Sequence, residues 1–376
     1  MPNTVTDLTK LIIPPVFTQW VIDHLDDTNN LINSGILTSN TQIGDLLAPG
    51  VTVQIPYIKA KKVLPDKWSD NVDKTSNSIG AGSMNGMKLY ETLTYSNTRL
   101  SALISGAPTA DAIGQAMTED WTAGDENALI KLLQGVFAVP DIKEAKMIDM
   151  TEVSPTNSDF NSTGWLAART LMGDKANQLT NIAVNSATEA MMTEEDLKDH
   201  GSEVSSQVAP YGTFHGMVIT IDDQIPLDLS DPKKPKSTCY IFSSGAVSYK
   251  RQIVGTRTWN EEKEKGGTSY VSQDSVLTMN VQGTGVKSSF KPEDYPYATV
   301  DELTKPDNWE VPDGRPVRDI GVVAYTHTVD PIFAKGLIAA QQQQQASDAG
   351  SSTDTKTGSN TGSGSSASGS DSSTGK

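Results

Sequence analysis

The stretch "PTADAIGQAMTEDWTAGDENALIKLLQGVFAVP", Pro108 to Pro140, most limits what this chain can become. Ile113, Met117, Trp121, Ala128, Leu132 and Val136 recur at helical spacing and share one face. Gly135 and Pro140 close the pattern, and Gly124 is expected to break or bend it. A helix this long serves as the backbone of a domain, and its apolar face needs a broad partner.

That partner is expected to be sheet. "GVTVQIPYIKA" alternates through Val51, Val53 and Ile55, and Pro56 is expected to stop its ladder. "MKLYETLTY" alternates through Leu89, Glu91, Leu93 and Tyr95, a strand with one wet face. From Gly216 onward "GMVITIDD", "TCYIFSSGAVSY", "QIVGTRTW", "YVSQDSVLTMNV" and "RDIGVVAYTHTV" read as strands. Short helices are expected at "STGWLAARTLMGD" and after the buried strand "LTNIAV", where Ser186 and Glu189 form a capping-box pattern. An N-terminal helix over "VFTQWVIDHLDDTNNLINSG" carries Phe17, Trp20, Val21, Leu25 and Ile32 on one stripe. Helices and antiparallel strands mixed in this way give an α+β chain.

Thirty Lys and Arg face 46 Asp and Glu, a net charge of −16. So acidic a surface repels phosphate, which argues against specific nucleic-acid binding and against anionic membranes. Cys239 is the single cysteine, so no internal disulfide forms and the chain suits a reducing compartment such as cytoplasm. No apolar run approaches the ~18 residues of a membrane span, and the N-terminus lacks a secretory pattern. Residues 346–376 hold Ser, Gly, Thr, Asp and Asn with no aromatic, a composition expected to stay disordered.

Chemistry is sparse. Gly80, Gly82 and Gly86 approach a dinucleotide fingerprint, but a strand follows where a helix N-terminus is required, so they read as a flexible loop. "GTGVKSS", Gly283 to Ser289, reads as a turn. His24, His200, His215 and His327 share no metal-ligand spacing, and none neighbours Cys239 in sequence. Asp222, Asp223, Asp228 and Asp231 read as a solvated turn rather than a calcium loop. Glu119, Asp120, Asp125 and Glu126 are expected near helix starts, where the dipole favours them. No catalytic residue, cofactor site or metal site is assigned, and the chain is not read as an enzyme.

What stands out is reach: an N-terminal amphipathic segment, a long polar loop carrying the isolated Trp68, and a long strand before any helix. Such elements suit a protein that overlaps its neighbours. Several blocks then carry a family resemblance, in order: "TDLTKLIIPPVFTQWV", "LINSGIL", "GVTVQIPYIKA", "LTYSNTRLSALISGAPTADAIGQAMTEDWTAGDENALIKLLQGVFA", "LMGDKANQLTNIAVNSATEAMM", "YGTFHGMVITIDDQIP", "CYIFSSGAVSY" and "ELTKPDNWE". Together they span residues 6–326 and resemble the major capsid proteins of tailed bacteriophages.

The resemblance implies a tailed-phage capsid fold, with an N-terminal arm at 1–50 and an extended β-hairpin loop with flanking strands at 51–98. It implies a peripheral domain with a long spine helix starting at 99–150, an axial domain at 151–249 and a peripheral return at 250–337; residues 338–376 lie outside the resemblance and are expected to form a disordered low-complexity tail. It implies a subunit that self-assembles into hexamers and pentamers of an icosahedral shell around phage DNA, in the virion, after assembly in bacterial cytoplasm. A separate scaffolding protein, a portal and a decoration protein are the partners it brings. Phe17, Trp20, Trp68, Lys88, Tyr90 and Tyr95 are the expected contacts between copies. The alternative is another particle component, a decoration or tail-tube protein; the first would lack the long helix and the second would be smaller and strand-dominated.

Overall fold

The computed structural model describes residues 17, 18, 21, 34–39, 43–59, 65, 68, 79–98, 109–200, 213–231, 233–261 and 268–354. In chain order the strands are β1 (Leu37–Ser39), β2 (Thr52–Ile58), β3 (Ala81–Met87) and β4 (Leu89–Thr98). Helices α1 (Thr109–Phe137) and α2 (Pro140–Lys146) follow, then β5 (Met147–Asp149), α3 (Met150–Val153), α4 (Ser162–Thr170), β6 (Leu179–Val184) and α5 (Ser186–His200). Next come β7 (Thr213–Phe214), β8 (Met217–Ile221), β9 (Lys236–Ser243), β10 (Val247–Glu261), β11 (Thr268–Val281), β12 (Gly285–Val286), β13 (Trp309–Glu310), β14 (Val322–Thr328) and α6 (Pro331–Asp354).

Two sheets organise the described residues. One has the order β1-β10-β11-β4, and the other β5-β14-β9-β6-β8-β7. The first is built on the long β10–β11 antiparallel pair, with β4 antiparallel on β11 from Leu89↔Leu277 to Thr98↔Thr268. Helix α1 packs against it through Leu129, Leu132, Leu133 and Val136, which share a core with Val247, Leu277 and Met279. That core continues to Tyr240, Phe242, Val322 and Ala324 of the six-stranded sheet. The opposite face of that sheet buries Cys239, Ile241, Val323 and Tyr325 against Trp165 and Ala168 of α4 and Met191 and Met192 of α5. Period-two alternation thus gives one sheet two buried faces. The stretch 250–337 divides between the sheets, with β11 in one and β14 in the other.

Helix α1 runs unbroken through Gly124, where a Cβ would come no closer than 4.0 Å to another group, Arg251 Nη2. Leu, Ile and Ala packing on both sides outweighs a single glycine, which costs about 1 kcal/mol in a helix. The helix also passes through Gly135, which answers to a different demand. A Cβ there would sit 1.9 Å from the Leu303 carbonyl oxygen, so the glycine admits the turn Val300–Thr304 onto the helix.

The expected box at Ser186 is replaced by its neighbour. Asn185 Oδ1 accepts from Thr188 N at 2.9 Å and caps α5, while Ser186 N donates to Asp223 Oδ1 at 2.8 Å. Asp330 caps α6 by accepting from Ile332 N at 2.8 Å, with Pro331 at the first helical position. Ala334, Leu337 and Ile338 dock on the second core, and the Ala- and Gln-rich run beyond continues as helix to Asp354. Helix therefore occupies the first part of 338–376, where composition suggested none. The expected N-terminal helix lies mostly outside the described residues; Phe17 and Val21 are buried beside Met117, Trp121 and Val271.

Candidate functional site

The glycine-rich stretch resolves into a hairpin. β2 and β3 pair antiparallel from Thr52↔Met87 to Ile58↔Ala81, and Pro56 lies within the ladder opposite Ser83. Pro56 does not stop the strand, because a two-stranded ribbon leaves β2 an outer edge where a missing N–H breaks no bond. Gly82 and Gly86 belong to β3 rather than to a loose loop. A Cβ on Gly82 would lie 2.6 Å from the Tyr57 ring, and one on Gly86 would lie 2.9 Å from Thr278 Oγ1. Small residues are needed for the strand to close on its neighbours.

The hairpin is anchored along its ladder. Val53, Ile55 and Met84 pack with Ile43, Leu46 and Val276. Tyr57 Oη donates to the Asp313 carbonyl at 2.7 Å, Lys59 Nζ meets Asp313 Oδ2 at 3.1 Å, and Arg315 lies over the Tyr57 ring at 5.3 Å. The far end is exposed: Ile58 is 71% accessible, Ile79 80% and Trp68 87%. Most of residues 60–78 lie outside the described set.

The six expected contact residues fall in different settings. Phe17 is buried against Met117 and Trp121 of its own chain. Trp20 lies outside the described residues. Trp68 is exposed near the hairpin end. Lys88 is buried, with Nζ donating to the Ala48 carbonyl at 2.7 Å; burial lowers its pKa. Tyr90 is 41% exposed, donates to the Gly50 carbonyl at 3.1 Å and meets Tyr297 edge-on. Tyr95 is half-buried and donates to Asp120; burial and that carboxylate push its phenol up to about 12.

Two arrangements escaped local spacing. Cys239 Sγ lies 3.2 Å from His327 Nε2, and His327 Nδ1 lies 2.9 Å from the Thr328 carbonyl oxygen. Both side chains are fully buried. Burial raises the thiol pKa and lowers the imidazole to about 4, so the pair stays neutral. A neutral buried thiol is not a nucleophile, and the pair links β9 to β14. The residues stand 88 apart, and only the register of β9 on β14 brings them together.

The second arrangement centres on Arg251 of β10. Its Nη2 meets Asp125 Oδ1 at 2.6 Å, its Nη1 meets Glu91 Oε2 at 2.9 Å, and it lies 4.5 Å from the Trp121 ring centroid. Tyr249 Oη donates to Asp125 Oδ2 at 2.7 Å. Asp125 therefore sits buried in mid-helix, not at a helix start, and charge pairing explains it where the dipole was expected to. Asp120 and Glu126 are likewise mid-helix, held by Tyr95 and by Gln224 at 3.1 Å.

Asp222, Asp228 and Asp231 accept from the backbone two residues ahead, the turn role expected of them. Among the described residues no group of three or more His, Cys, Asp or Glu is placed to hold a metal. No helix among them is long and apolar enough to cross a membrane.

No family model matches the chain. It is 23% identical over 327 residues to the major capsid protein of Bacillus phage SPP1, covering 86% of this chain and 98% of that one. Among solved structures, the capsid of Ralstonia phage GP4 superposes with a TM-score of 0.52 at 9% identity, covering 78% of this chain and 87% of that chain. The capsid asymmetric unit of cyanophage Pam1 gives a TM-score of 0.46 at 10% identity, with coverages of 76% and 86%. The likeness to the GP4 capsid is one of fold, and the likeness to the SPP1 protein runs nearly end to end. The chain is thus similar over nearly its whole length to the SPP1 major capsid protein and shares the α+β fold of the GP4 capsid.

Proposed function

We propose that this chain is the major capsid subunit of a tailed phage, copies of which close as hexamers and pentamers into an icosahedral shell around DNA. The observation that carries this is the alignment with the SPP1 major capsid protein, which takes in 98% of that protein. In this reading α1 is the spine of a peripheral domain with the β1-β10-β11-β4 sheet, and the six-stranded sheet forms the axial domain. The β2–β3 hairpin is the extended loop that overlaps an adjacent copy, and residues 1–50 are the arm. Scaffolding, portal and decoration proteins are its partners, bacterial cytoplasm its place of assembly, and the virion its destination.

The physics suits the role. Heterologous contacts whose rotation closes generate symmetric assemblies. Modest individual contacts let wrong shells dissolve before many contacts lock the right one. A net charge of −16 keeps the wall from gripping DNA. The test is expression with and without a candidate scaffolding protein, followed by electron microscopy. Shells or sheets of hexamers are expected. A chain that stays monomeric at high concentration in every condition overturns the reading.

A further inference from the structure

The six-stranded sheet ends on β5, which pairs only with β14 among the described residues. A hollow of about 370 Å³ borders this edge strand, lined by all three of its residues together with Lys143 and Glu144 of α2 and Glu152 and Val153 of α3. A second hollow of about 320 Å³ shares Met147 and Asp149 with it and continues toward Ile225, Leu227 and Tyr240. Val153 is 69% exposed at the rim, and Met147 and Ile148 are half-buried. Neither Glu144 nor Glu152 has an ion-pair partner among the described residues. The groove thus offers an open strand edge, an apolar floor and an acidic rim.

One segment of the chain has the opposite character. Lys59 to Trp68, "KAKKVLPDKW", holds four lysines against one aspartate in a chain whose net charge is −16. Val63 and Leu64 sit between the lysines, with Pro65 behind them. The segment leaves the hairpin where Lys59 is fixed to Asp313. A basic run with apolar residues is the chemistry that an open, acid-rimmed sheet edge accepts.

We propose that residues 61–68 of one copy dock in the groove beside β5 of a second copy, with Lys61 and Lys62 facing Glu144 and Glu152. This rests on the capsid-subunit reading and names the surface that receives its hairpin. Three residues of strand edge make a weak contact alone, and many copies add up to a stable wall.

Disulfide trapping tests it in the full chain, because the native Cys239 is buried and leaves engineered thiols as the reporters. Leu64→Cys and Val153→Cys chains, mixed and co-assembled into shells, should yield on oxidation a dimer containing one of each. Its yield should exceed that of either variant alone by about tenfold, the effect of a high local concentration. In parallel, Glu144→Lys/Glu152→Lys and Lys61→Glu/Lys62→Glu should each cut shell yield about tenfold, and mixing both reversals in one chain should restore it to within about threefold.

Shells that form without a mixed dimer overturn the groove assignment and leave the subunit reading intact. A closed-loop monomer in the Leu64→Cys/Val153→Cys chain before assembly assigns the groove to the same copy and also overturns it. So does a cross-link from Val153→Cys to another segment. If the unsubstituted chain makes no shells, the subunit reading fails and takes this inference with it.

Discussion

Replacing Arg251 with Met tests the energetic centre of the four-stranded sheet. The guanidinium is 2% exposed and neutralises Asp125, which is fully buried, from two nitrogens at 2.6 and 3.0 Å. Its second carboxylate, Glu91, is 20% exposed and can rehydrate. Methionine keeps much of the stem over Trp121 but leaves Asp125 without its counter-charge. Breaking such a pair from one side costs about 3–5 kcal/mol. The cost has a ceiling, because the stranded carboxyl can fold protonated instead. With an unfolded pKa near 3.9, that ceiling is about 5 kcal/mol at pH 7.5 and about 2 kcal/mol at pH 5.5. Removing the guanidinium raises the folded pKa of Asp125 further, so the damage grows as pH rises and shrinks as it falls. Urea unfolding of the unassembled subunit, followed by circular dichroism at these two pH values, reads both numbers. The lower value stays clear of the isoelectric point near 4.6. Arg251→Met/Asp125→Asn should recover at least half of the loss at pH 7.5. A loss below about 1 kcal/mol at pH 7.5, an equal loss at both pH values, or strictly additive single losses would refute the reasoning.

Three further outcomes follow from the same geometry. Glu126 is pushed up to about 7 by burial and by Asp222, so its favourable contribution is complete below the unfolded pKa and lost as pH rises through 7. Glu126→Gln should therefore gain about 2 kcal/mol at pH 8 after allowing for partial exposure, and under about 1 kcal/mol at pH 5.5; equal gains in urea melts at both would rule this out. In α1, Gly124→Ala should stabilise by about 0.5–1 kcal/mol, whereas Gly135→Ala should destabilise by about 2–3 kcal/mol through its collision with Leu303. Thermal melts giving the two the same sign would show that Leu303 is not so close. Replacing residues 60–79 with a two-residue turn should leave the hairpin ladder and the melting temperature intact while abolishing shells in electron micrographs, since Lys59 N already donates to the Gly80 carbonyl at 2.8 Å. Survival of assembly would make the segment a passive insertion.

The parts of this fold legible in the sequence are those where burial imposes a period. Helix α1 shows itself through Met117, Trp121, Leu132 and Val136 because one face meets a sheet along its length. Strands β4, β9, β11 and β14 show themselves through alternation or continuous apolar runs. β3 does not. "AGSMNGM" has a loop's composition, yet Met84 and Met87 are buried and the strand pairs along its whole length. Its glycines answer to Tyr57 and Thr278, which are close only after folding. The same holds for Gly135, whose reason lies in the backbone of Leu303, and for Asp125, whose reason is Arg251.

These misreadings share one cause. A local rule treats Gly as freedom and a helical Asp as a dipole partner, since within a few residues nothing else acts on them. Once α1, the hairpin and the β10–β11 pair converge, the same residues become the points where backbones approach closest or a charge must be matched. This bears on the hairpin as a reaching element. A limb made of loose glycines would lose conformational entropy on meeting a neighbour. The hairpin instead has β2 and β3 already paired, its base packed on Ile43, Leu46 and Val276 and its far end tied to Asp313 and Arg315. In the proposed role, a ladder already formed out to Ile58 and Ala81 lets the hairpin meet a neighbouring copy without losing backbone freedom along β2 and β3, which a disordered arm of equal length would lose.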